Sequence, residues 1–178
     1  MKRICTLLIS CFFATQSFAQ IEVDYVKLKD FSAVGFGGFL NFAIPLSESD
    51  FATVEGGVQF FTNKYTEELY LLPVITGYRY TIDRSGYGFY AEPNVGYTFG
   101  GSTIMVYDEQ GSPLSDGDDW LYRKPAGPTA GIAFGYLFDP GGKIQLNLAL
   151  RYQRGFGTDG TNVFSFRVSH AITFGRKQ

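Results

Sequence analysis

The chain has 178 residues, 45% of them hydrophobic and 18% charged, with a formal net charge of -2. That length suits one domain, and 18 Phe with 12 Tyr exclude intrinsic disorder. The charge balance excludes a basic nucleic-acid surface, while one His and two Cys leave little for metal or thiol chemistry.

The first residues read as an address. Lys2 and Arg3 precede an apolar run from Ile4 to Ala14, and small Ser17 and Ala19 end the segment. This is the secretory leader pattern, and the run is shorter than the roughly 20 residues a spanning helix needs. Cleavage is expected after Ala19, leaving a single domain over 20–178. Leu8, Ile9, Ser10 and Cys11 resemble a lipoprotein box, but Phe12 and Phe13 continue the apolar run past the cysteine. Cys5 and Cys11 both leave with the leader, so the remaining chain has no disulfide or thiolate ligand. Losing Lys2 and Arg3 reduces 15 basic residues to 13 against 17 acidic, a net charge of -4.

The rest reads as strands of period two. Residues 21–29 form a short, weakly patterned first candidate. Val34, Phe36, Leu40, Phe42 and Ile44 then alternate with Ala33, Gly35, Gly37, Asn41 and Ala43. Val54, Val58 and Phe60 alternate with Thr53, Glu55 and Gln59. In 69–80 both faces are apolar, so the facing stays open. Phe89, Val95, Tyr97 and Phe99 oppose Tyr90, Glu92, Asn94 and Thr98. Ile132, Phe134 and Tyr136 oppose Gly131, Ala133 and Gly135. Ile144, Leu146, Leu148, Leu150 and Tyr152 oppose Gln145, Asn147, Ala149, Arg151 and Gln153. Finally Phe164, Phe166, Val168, His170 and Ile172 oppose Ser165, Arg167 and Ser169. Pro73 and Pro93 each remove a ladder donor, and a bulge is expected near them. Short links at 45–50, 81–86 and 139–143 alternate with longer ones at 62–67, 100–127 and 155–162, and only the tight link at Asp30 breaks the rule. Pro140 and Gly141 suit a type II turn. Both termini and all the short turns then share one side.

The polar face carries Gly, Ala, Ser, Thr, Asn and Gln rather than the Lys and Glu of a solvated surface. No helix is available to cover the apolar face, so lipid is its natural cover. Phe51, Phe60, Tyr70, Tyr78, Tyr80, Phe89, Tyr97, Phe99, Tyr136, Phe138, Tyr152, Phe164 and Phe174 lie near strand ends, where membrane barrels place aromatic girdles. The fold expected is all-β: an eight-stranded antiparallel up-and-down transmembrane β-barrel, closed so that no backbone is left unpaired in lipid. A soluble lipocalin-like barrel is the competing arrangement.

The segments "LYLLPVITGYRYTID", "GFYAEPNVGYTFG" and the final "FSFRVSHAITF" resemble the small outer-membrane β-barrel proteins of the OmpA/OmpX kind, over Ile21 to Phe174. The last segment resembles a C-terminal assembly signal, although Gly175 to Gln178 follow the aromatic and His170 replaces an apolar residue. The resemblance implies a Gram-negative outer membrane, insertion by the barrel assembly machinery, and the lipid bilayer with its lipopolysaccharide as partners. No periplasmic peptidoglycan-binding domain is expected to follow, because the sequence stops just after the last strand.

Three groups of residues are candidates for function. Glu55, Arg79, Glu92, Arg151 and Arg167 fall on the inward face, where ion pairing is expected to form a structural network blocking the lumen. A gated narrow channel for small or apolar solutes is the alternative. His170 is the single candidate base, and some barrels of this size are lipid-modifying hydrolases using His with Ser. Ser169 adjoins it, but strand neighbours point to opposite faces. In the 100–127 loop, Asp108, Glu109, Asp116, Asp118 and Asp119 give an acidic stretch. "SDGDD" resembles a calcium loop without its closing Glu. Asp116, Asp118, Asp119, Trp120 and Tyr122 are candidates for extracellular contact. The function expected is non-enzymatic, with no cofactor: a membrane scaffold displaying loops for envelope integrity or surface interaction.

Overall fold

The computed structural model describes residues 16–29, 31–62, 67–83, 86–104, 124–138 and 146–172. Eight strands follow in chain order: β1 Gln16–Lys27, β2 Ser32–Pro45, β3 Asp50–Thr62, β4 Glu67–Thr81, β5 Gly88–Ile104, β6 Gly127–Leu137, β7 Leu146–Gly155 and β8 Thr161–Ile172. Each pairs antiparallel with its sequence neighbours, and β1 closes the barrel against β8. Ser17 lies opposite Ile172, so the first and last strands end on the same rim. The connections from β2 to β3, β4 to β5 and β6 to β7 lie on that rim too.

The alternation read from the sequence becomes an inside and an outside. Ile21 is 69% exposed, Phe36 66% and Leu150 64%, whereas Arg79 and Arg167 are 1% exposed. Apolar side chains therefore cover the outer wall, and the buried charged ones face the lumen. That is the reverse of a lipocalin-like barrel, which is set aside.

Several expectations change. β1 is a full strand, with Ile21, Val23 and Tyr25 outward and Glu22 and Asp24 buried. The facing of β4 resolves with Tyr70, Leu72, Val74, Tyr78 and Tyr80 outward. Leu69, Leu71, Ile75 and Arg79 point inward. No bulge forms at Pro73 or Pro93. The β3–β4 ladder skips from Gly56–Val74 to Gln59–Leu71, and the β4–β5 ladder from Gly77–Asn94 to Tyr80–Ala91, with register unchanged across both gaps. A missing donor has interrupted the pairing there without inserting a residue. Phe51 is buried in the lumen rather than in the girdle, because it shares its face with Thr53 and Glu55. The Pro140–Gly141 turn and Phe174 lie outside the described residues.

The lumen is filled in three layers. Near the rim opposite the termini, Val26, Phe31, Phe61, Leu69, Leu71 and Val163 belong to one buried apolar cluster. Near the other rim, Ala43, Phe51, Tyr90, Leu137 and Ala149 form a second, against which Tyr87 packs. Between them lies the polar layer.

Candidate functional site

The polar layer is built by strands that are distant in sequence. β1 supplies Glu22, β3 Glu55, β7 Arg151 and β8 Arg167. Their inward positions follow from strand alternation, and their height in the barrel from register, since Glu22 is paired with Arg167 on one ladder and Ala149 with Arg167 on the next. Arg151 Nη2 donates to Glu22 Oε2 at 2.6 Å, and its Nη1 donates to Glu55 Oε1. Arg167 Nε donates to Glu22 Oε1 at 2.5 Å, and its Nη1 lies 2.8 Å from Glu55 Oε2. Each carboxylate thus meets two guanidinium groups and each guanidinium two carboxylates. Asn41 Nδ2 adds a hydrogen bond to Glu55 Oε2 at 3.2 Å. The Phe39 ring lies 4.7 Å from the Arg151 guanidinium carbon and 5.9 Å from that of Arg167.

A second pair sits beside this ring of charges. Arg79 Nε donates to Glu92 Oε2 at 2.6 Å, and Thr53 Oγ1 donates to Glu92 Oε1 at 3.1 Å. The Arg79 guanidinium carbon lies 4.7 Å from the centre of the Tyr90 ring, and the Tyr90 hydroxyl donates to Asn147 Oδ1 at 3.0 Å. Tyr90 therefore ties the polar layer to the apolar cluster below it.

The structure brings together all five interior residues singled out from the sequence, but in two groups. Glu92 pairs with Arg79, and Glu55 with Arg151 and Arg167. Glu22 and Asp24 complete the inward charges among the described residues and were not singled out, because the adjoining leader disguised the strand. Asp24 is 1% exposed and faces the Ser165 hydroxyl and the Gln59 amide.

His170 is exposed on the outer wall, whereas Ser169 is 1% exposed and faces the lumen. The strand thus separates the two side chains that a nucleophile–base pair would have to join. Asp116, Asp118, Asp119, Trp120 and Tyr122 lie outside the described residues. Among the described residues, no group of three or more His, Asp or Glu is placed to hold a metal ion.

No protein-family model matches the sequence, and no curated protein matches it in sequence. Solved structures do match in fold. Neisserial surface protein A is 10% identical, with a TM-score of 0.61 over 90% of this chain and 97% of that one. Ail, the attachment invasion locus protein of Yersinia pestis, is 9% identical, with a TM-score of 0.62 over 89% of this chain and 97% of its own. The N-terminal β-barrel domain of Pseudomonas aeruginosa OprF is 14% identical, with a TM-score of 0.54 over 89% and 99%. The chain has the fold of the small eight-stranded transmembrane barrels.

Proposed function

We propose that this protein is a non-enzymatic, non-conducting barrel of a bacterial outer membrane, a scaffold whose exposed loops meet the surroundings. The observation that carries this reading is the filling of the lumen: a salt-bridged layer of buried side chains lies between two buried apolar clusters. Eight strands leave room for side chains and little else. The outward Phe, Leu and Val side chains support a hydrocarbon surrounding. The separation of His170 from Ser169 speaks against the hydrolase reading, and the capped lumen against the channel.

The leader belongs to the same proposal. Cleavage after Ala19 removes four residues from the start of β1 and leaves Gln20–Lys27 paired on both sides. Insertion by the barrel assembly machinery and contact with lipopolysaccharide follow from the location, with the loop residues around Trp120 offered to surface partners. Planar-bilayer recording tests the scaffold reading. Purified protein, folded as judged by heat-modifiable gel mobility, should add no stable current steps. Reproducible steps would replace the scaffold by the narrow channel.

A further inference from the structure

The outer wall is not uniform around its circumference. On the rim opposite the termini, Lys27 of β1 lies opposite Asn162 of β8, and Asn162 lies opposite Arg154 of β7. Lys27 and Arg154 are exposed on the outer wall, and Asn162 between them is half-buried. Neighbouring strands stand about 4.8 Å apart, so the three side chains form a row about 10 Å wide. One step below, Tyr25, Phe164 and Tyr152 form a second row by the same ladders, and Val23, Phe166 and Leu150 a third.

The upper row is held with its donors outward. The Tyr152 hydroxyl donates to Asn162 Oδ1 at 2.8 Å, which leaves the amide NH₂ of Asn162 to a partner from outside. The Arg154 guanidinium carbon stands 5.7 Å from the centre of the Phe156 ring. Lys29 is exposed one step beyond Lys27. Across the barrel, the same rim carries the opposite charge, with Glu68 of β4 exposed. Below the row lies an apolar groove of about 410 Å³, lined by Val23, Ile132, Phe134, Leu150, Phe164 and Phe166. A second groove of about 350 Å³ shares Phe134, Leu150 and Phe166 with it and continues toward the other rim, reaching Ile82 and Phe89.

A cationic row above a long apolar groove fits an amphiphile with an anionic head and an extended tail. Guanidinium and amide donors match phosphate oxygens, and Arg grips them with two parallel bonds. We propose that this arc of β7, β8 and β1 binds one phosphate-bearing glycolipid of the outer leaflet. Lys27, Asn162 and Arg154 hold its phosphate, and an acyl chain lies in the groove. The inference rests on the outer-membrane reading, including its contact with lipopolysaccharide, and goes beyond it by naming the arc of the wall and the residues that hold the lipid.

The test uses wild type, a Lys27→Gln/Arg154→Gln variant and a Glu68→Gln control, each folded into phosphatidylcholine vesicles. The vesicles contain diphosphorylated lipid A, dephosphorylated lipid A, or neither with inorganic phosphate in the buffer. The midpoint of heat-modifiable mobility is followed as the lipid is titrated. Diphosphorylated lipid A should raise the midpoint of wild type and of the control. The double variant should need about tenfold more lipid for half of the effect, a shift of about 1.4 kcal/mol. Equal response of the double variant, or equal stabilisation by dephosphorylated lipid A, would overturn the site. Stabilisation by inorganic phosphate alone would overturn the lipid as its source. Failure to insert into any vesicle would instead remove the outer-membrane reading on which the site depends.

Discussion

Arg167 and Glu55 meet at 2.8 Å across the lumen, although they stand on β8 and β3, which do not pair. The contact spans 112 positions of sequence and, through Glu22, joins β1 to the same cluster. A closed sheet keeps its neighbours by backbone ladders alone. Contacts of this kind brace opposite walls.

Arg167→Leu should therefore be costly. Glu22 and Glu55 would be left to share Arg151, and removing one member of a buried pair costs about 3–5 kcal/mol. Urea titration of reversible folding in lipid vesicles should show a lower midpoint. Arg167→Lys keeps the charge but loses the two-pronged geometry, and should fall between the leucine variant and wild type.

The two carboxylates of β1 should behave in opposite ways. Glu22→Gln weakens contacts to both Arg151 and Arg167 and should destabilise the barrel in the same titration. Asp24→Asn removes a buried carboxylate that stands two residues from Glu22, and an amide can still meet Ser165 and Gln59, so stability should hold or rise. Loss of stability in Asp24→Asn equal to that in Glu22→Gln would show that Asp24 is part of the bracing network.

Gly57 leaves the room that Phe39 fills. A Cβ at Gly57 would collide with the Phe39 ring and come within 2.5 Å of the Gly38 carbonyl oxygen. Backbone cannot retreat as a flexible side chain can, and Phe39 also underlies Arg151. Gly57→Val should reduce the folded, heat-modifiable fraction severely, whereas Gly56→Ala should leave it unchanged, because nothing lies within 4 Å of a Cβ there.

The two apolar clusters predict a pattern in conductance. Phe61→Ser with Leu71→Ser opens only the layer opposite the termini, so recordings should remain silent. Adding Phe51→Ser opens the other cap, and current should appear once Arg151→Ala also breaks the salt-bridged layer. Current from the first pair alone would mean that the salt-bridged layer and the lower cluster do not seal the lumen.

Much of this fold was legible in the sequence because β2, β3, β7 and β8 alternate strictly, which placed Glu55, Arg151 and Arg167 inside before any coordinates. The reading faltered where the lumen itself is apolar. Leu69 and Leu71 fill the upper cluster and Ile75 also points inward, so β4 is greasy on both faces and its facing could not be chosen. Phe51 misled for the same reason, since an aromatic near a strand end suits either a girdle or a plug. Glu22 and Asp24 were hidden by the leader beside them. Which arginine meets which glutamate depends on register between distant strands, and single-strand periodicity carries no such information.

The account depends most on the outward Leu and Phe side chains touching hydrocarbon. In a Trp120→Phe background, Leu150→Trp and Phe134→Trp reporters can be compared in vesicles of ordinary and acyl-brominated phosphatidylcholine. Strong quenching of both by the brominated chains, with little quenching by aqueous acrylamide, is the predicted result. Free access of acrylamide, with no effect of bromine, would contradict it.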